Sequence, residues 1–159
     1  MKLNFGFIEE WKNLERVQKS INGGCSIVFY AENKSSMNHF KLLLLELTEV
    51  RNLQVCYVTS IKNDPVFSLK NKNIFAYYIG DGITRTKFFL TLKAKILIMD
   101  MPDLETFHIK RSKVYPVHYV YVFHSMFSIH SYLRKGAIDH YDTIFCVGEH
   151  HEKEILETE

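Results

Sequence analysis

The chain carries almost no excess of charge of either sign. Twenty Lys and Arg stand against 18 Asp and Glu, a formal +2, which is too little for the footprint of a nucleic-acid partner or of a strongly anionic membrane surface. Cysteine is scarce as well. Cys25, Cys56 and Cys146 fall in apolar, strand-like segments, and an odd number without close pairing argues against a disulfide framework and suits a reducing cytosol. No apolar run approaches the ~20 residues of a membrane span, and Glu9 and Glu10 interrupt the N-terminal stretch where a secretory signal needs continuous apolar residues. The expected location is cytoplasmic, with peripheral attachment at the inner face of the cell membrane left open. Internal repeats, low-complexity tracts and linkers are also missing.

Two glycine signatures are absent. No Gly-x-Gly-x-x-Gly follows the first strand and no Walker A sequence occurs, which argues against a dinucleotide or P-loop NTPase site. Gly23-Gly24 precedes its strand and cannot serve as that fingerprint. Metal spacing is lacking too: His124 and His130 are six apart, neither His-Glu-x-x-His nor His-x-x-x-His occurs, and His150 and His151 point to different sides of a helix. No metal and no cofactor is expected.

What is present is a globular composition. With 47% hydrophobic and 24% charged residues, 159 residues suffice for one core that buries roughly two thirds of the unfolded surface. Phe7, Trp11, Leu14, Val17 and Ile21 recur at helical spacing among charged residues, which predicts an amphipathic helix stopped by Asn22-Gly23-Gly24. Cys25 to Tyr30 reads as a strand. Ala31 to Ser36 is a polar turn into a helix with the stripe Met37, Phe40, Leu44, Leu47 and Val50. Further strands are expected at Gln54 to Val58, Ile74 to Ile79, Lys95 to Met99, Val117 to Phe123 and Thr143 to Val147, with helices at Thr84 to Leu92 and around Ile129 to Lys135. Glu149 to Glu159 begins a helix that no glycine, proline or capping residue closes, so the chain reads as cut rather than finished.

Apolar strands alternating with helices imply an α/β fold: a Rossmann-like open parallel sheet of about six strands, with helices on both faces. Ligands of such sheets bind beyond the carboxyl ends of the strands. The turns there are Glu32 to Ser36, Gly80-Asp81-Gly82, Phe123 to Ser128, and Gly148 to His151. His124 ends the run Tyr119 to Phe123 and stands at that edge, where an imidazole is suited to accept a proton near neutral pH. Capping of the following helix, or a hydrogen bond in the core, is the structural alternative. Asp100, after Ile96 to Met99, reaches the same edge, with packing or capping as its alternative.

The segment Tyr119-Val120-Tyr121-Val122-Phe123-His124-Ser125-Met126, continued by Gly136 to His151 and on to Glu154-Ile155, resembles the CDP-glycerol glycerophosphotransferase family. The resemblance covers about residues 115 to 155 and is architectural before that. It implies the GT-B fold, two facing Rossmann-like domains. Residues 1–159 would then be the N-terminal, acceptor-side domain, followed by a C-terminal domain that holds a CDP-activated polyol donor. The implied reaction moves a glycerophosphate-like group to a hydroxyl of a cell-surface polymer, of teichoic-acid type, or of a glycan precursor. His124 would be the catalytic base, with Ser125, Ser128 and His130 as acceptor contacts and Gly148 as a tight turn at the domain edge. The family carries a glycine where Ser125 stands here. Two other classes remain: a binding module without catalysis, and half of another GT-B glycosyltransferase or epimerase, because fold does not fix reaction.

Overall fold

The computed structural model describes residues 5–157. The first helix, α1 (Phe5–Asn22), buries Leu14 and Val17 and ends where Gly24 takes a φ of 111°, which a side chain would resist. β1 (Ile27–Ala31) follows, then α2 (Ser36–Leu45), which runs on as a π-helical turn, Glu46–Val50, closed by Arg51 N–H donating to the Glu46 carbonyl at 2.9 Å. The remaining elements are β2 (Val55–Thr59), β3 (Ile74–Tyr78), α3 (Ile83–Thr91), β4 (Ile96–Met99), β5 (His118–Val122), β6 (Thr143–Phe145) and α4 (Glu149–Leu156). Residues 158 and 159 of the expected last helix lie outside the described residues.

The six strands form one wholly parallel sheet in the order β3-β2-β1-β4-β5-β6. Each expected strand is present, displaced by one to two residues at its ends. Strand alternation then divides the core. Val28 and Tyr30 join Val58, Leu97 and Met99 beneath α1 and α3, while Phe29 and Ala31 join Tyr57, Ile98 and Val120 beneath Met37, Phe40 and Leu44 of α2. Helices therefore lie on both faces.

Not every crossover carries a helix. The connections β2 to β3, β4 to β5 and β5 to β6 carry no α-helix, only the 3₁₀ turns Pro65–Ser68 and Ile129–Ser131 and irregular chain. The expected helix from Ile129 to Lys135 stops after Ser131. Ser128 makes no side-chain cap there, Tyr132 leaves helical geometry at φ −141°, and Gly136 has a φ of 79°. Among the described residues no helix is long and apolar enough to cross a membrane.

Candidate functional site

Strand order reverses between β1 and β4, so the chain diverges to opposite sides above their carboxyl ends and leaves a crevice. The register pairs Ile98 with Val120, and both belong to the α2 face. Two residues beyond Ile98, Asp100 points to that face, and four beyond Val120, so does His124. The first turn of α2 supplies Ser36 and His39 from the other side. Four polar side chains thus meet at one edge, brought there by a period of two in the strands and three in the helix.

Asp100 is the centre of this group. Its side chain is only 3% exposed, yet both oxygens are engaged: Ser36 donates its hydroxyl to Oδ1 at 3.0 Å, and His39 Nδ1 meets Oδ2 at 2.6 Å. A buried carboxylate requires such partners, and a bond this short is of the charge-assisted kind. With the Asp100 carboxylate as acceptor, the shared proton is assigned to His39 Nδ1. The His39 ring then stacks on His124, with centroids 5.1 Å apart and planes 27° from parallel, and His124 also meets Tyr132 at 5.9 Å. His124 is exposed, whereas His39 is half-buried. Among the described residues no group of three or more His, Cys, Asp and Glu is arranged to hold a metal ion.

Oxygens of the chain itself gather at the helix starts along this edge. Asn33 Oδ1 accepts from the backbone N–H of Ser35 at 2.9 Å and of Ser36 at 3.2 Å. The Glu10 carboxylate sits against Gly80, whose φ is 68°, and accepts from the Thr84 hydroxyl at 3.4 Å in the first turn of α3. α4 places Glu149 and Glu152 in its own first turn. The Arg85 guanidinium is spent on Glu32 at 3.1 Å. Beside it, Tyr30 shares a hydrogen bond with Ser60 at 2.8 Å, Ser60 donates to the Gly80 carbonyl, and burial pushes the Tyr30 phenol up to about 12. The edge is consequently well supplied with oxygen acceptors, while α3 and α4 start at Gly82 and Gly148 without a side-chain cap.

The other sequence candidates scatter. The Ser125 hydroxyl accepts from Phe127 N–H at 3.2 Å, a local turn bond one residue from His124. Ser128 accepts through its carbonyl from Ser131 and lies beside Glu154, which holds the start of the 3₁₀ turn by accepting from Ile129 N–H at 2.7 Å. His130 faces Glu157 at 4.0 Å and lines a cleft of about 740 Å³ with Leu133, Ile138 and Ile144, which His124 does not line. The cleft's Arg134 is paired with Asp103 at 2.6 Å. Gly148 is extended at φ −177° and needs no left-handed freedom, and a side chain there would press on the His150 ring.

Sequence reasoning reached Asp100 and His124 and missed His39 and Ser36. The available signal was weak: a polar residue, three after a serine, in the first turn of the helix that follows β1. No protein-family model, curated protein or solved structure matches the chain, so the chemistry of this edge is read from its own geometry.

Proposed function

We propose that this chain is the acceptor-side domain of a group-transfer enzyme resembling the CDP-glycerol glycerophosphotransferases, in which His124 helps remove a proton from an acceptor hydroxyl. The observation that carries the reading is the juxtaposition of His124 with the Asp100–His39 pair at the sheet's switch point, on an edge where Asn33 takes up the backbone N–H groups at the start of α2. An alcohol is a poor nucleophile at neutral pH, and an imidazole at hydrogen-bond reach lowers the barrier, contributing typically 10²–10⁴-fold. An oxygen-rich edge suits a neutral polyol and disfavours a nucleotide diphosphate. The clamp for the donor phosphates therefore comes from a second, nucleotide-binding domain, as the resemblance implies. Ser125, next to His124 in the chain, offers a further hydroxyl for an acceptor contact, whereas His130 lines a separate cleft.

The test is transfer of labelled glycerophosphate from CDP-glycerol to a glycerophosphate-polymer primer by the full natural gene product. The wild-type protein should transfer, and His124→Ala should lose about 10²–10⁴-fold in turnover with an unchanged circular-dichroism spectrum. Absence of transfer by the full protein, or full activity in His124→Ala, overturns the reading.

A further inference from the structure

The two stacked imidazoles are not equivalent. His124 is exposed and meets the rings of His39 and Tyr132. His39 is oriented by a carboxylate that is itself fixed by a second bond, from Ser36. A nucleophile-activating base is recognised by that arrangement: one ring nitrogen held by an acidic partner, the other turned toward the reacting group. With Nδ1 donating to Asp100, Nε2 is the ring nitrogen left to accept a proton. The ring retains 19% exposure while Asp100 is 3% exposed, so the proton-accepting member reaches the crevice and the orienting member stays shielded.

We infer that His39 is a second proton-accepting residue of this edge, that Asp100 positions it, and that the ligand it serves is a neutral polyhydroxyl acceptor. The inference rests on the acceptor-side reading above. In the step, the acceptor O–H proton moves to His39 Nε2 as the new O–P bond forms, and the P–O bond to the nucleotide leaving group breaks, which carries off the negative charge. The resulting imidazolium lies against the Asp100 carboxylate, where opposite charge stabilises it. Stacking on His124 gives the acceptor hydroxyl two imidazoles at one edge, His39 receiving the proton in this step and His124 assisting its removal.

The experiment is ¹⁵N NMR of the chain labelled at histidine, at about pH 8, above the ordinary imidazole range, with the His39 signals identified by their loss in His39→Gln. Glycerol, the probe, is then titrated in. A protonated Nδ1 and unprotonated Nε2 on His39, with a saturable glycerol-induced shift of Nε2, support the inference. The tautomer is read on the wild-type chain, and His39→Gln serves only to assign the signals, which holds when those of the other seven histidines persist unchanged; in Asp100→Asn, if folded, the tautomer preference should be lost. A proton on Nε2, or a shift confined to His124, overturns the role of His39 and leaves the acceptor-side reading standing. A glycerol response at neither ring overturns that reading and this inference with it. In the full protein's transfer assay, His39→Gln should lower turnover about 100-fold with little change in KM, and unchanged turnover would overturn the role.

Discussion

The two ends of the sheet are built to different standards. At the β3-β2-β1-β4 end, β2 is buried at every position and β1 at all but its first, because α1 and α3 cover one face and α2 the other. At the β5-β6 end β6 has only three residues, none fully buried, and Phe145 and Val147 are exposed together with Met126 and Phe127, whereas the opposite edge strand β3 stays half-buried along its length. Polar groups follow suit. Tyr30 finds Ser60 and Thr59 finds Asp64, whereas the buried hydroxyls of Tyr121 and Tyr132 have no hydrogen-bond partner among the described residues. The covered end has its own exception in the Tyr57 hydroxyl. The lesson concerns the site: Asp100 and His39 belong to the covered end and are fixed by hydrogen bonds, while His124 stands where the covered end gives way to the open one and is held by ring contacts.

The largest effect that would sharpen this contrast is in core packing. Phe40→Ala, at a fully buried side chain packed on Phe29 and Tyr57, should cost about 3–5 kcal/mol, and Ile144→Ala in the half-covered β6 about 1–2 kcal/mol. Urea unfolding measures both, and equal costs would break the comparison. A smaller test uses hydroxyls. Tyr30→Phe removes the bond to Ser60 and should cost ~1 kcal/mol, while Tyr121→Phe removes an unpartnered group and should be neutral or slightly stabilising. A cost at Tyr121 equal to that at Tyr30 would show that its hydroxyl is satisfied in solution.

The smallest effect is electrostatic and lies at the open end. Burial pushes the Asp142 carboxyl up, but the Tyr119 N–H and the Arg111 guanidinium, at 2.7 and 2.8 Å, outweigh it and hold the group below the usual carboxylate range. A folded-state value below the unfolded one means stability that is present above about pH 4 and lost as pH falls through the folded value. The side chain is about a third exposed, so screening keeps the contribution below ~1 kcal/mol. Asp142→Asn should therefore flatten the acid limb of a stability–pH curve slightly, and an unaltered limb would refute the pairing.

Much of the architecture was legible in residue patterns. Strands such as Ile96–Met99 are continuous apolar runs bounded by polar residues, and a run of that kind locates a buried parallel strand whatever its neighbours. The helix expected from Ile129 misled because apolar spacing says nothing about where the backbone leaves helical geometry, as it does at Tyr132. The site was half legible. Asp100 and His124 each follow a strand directly, so position along one element announces them. His39 lies 61 residues from the aspartate it bonds, and helical periodicity reports which face is apolar without reporting what the adjoining residue meets.

Local composition by itself determined that this chain forms alternating strands and helices, which strand ends carry ionisable groups, and that no glycine-rich phosphate loop is among them. Those properties depend on neighbours within a few residues. Only the tertiary structure decided the strand order, the switch point between β1 and β4, and the convergence of Ser36, His39, Asp100 and His124. The physical reason is that hydrogen bonds and ring stacking act over a few ångströms in space, and only the crossing of the chain over its own sheet brings residues so distant in sequence within that range.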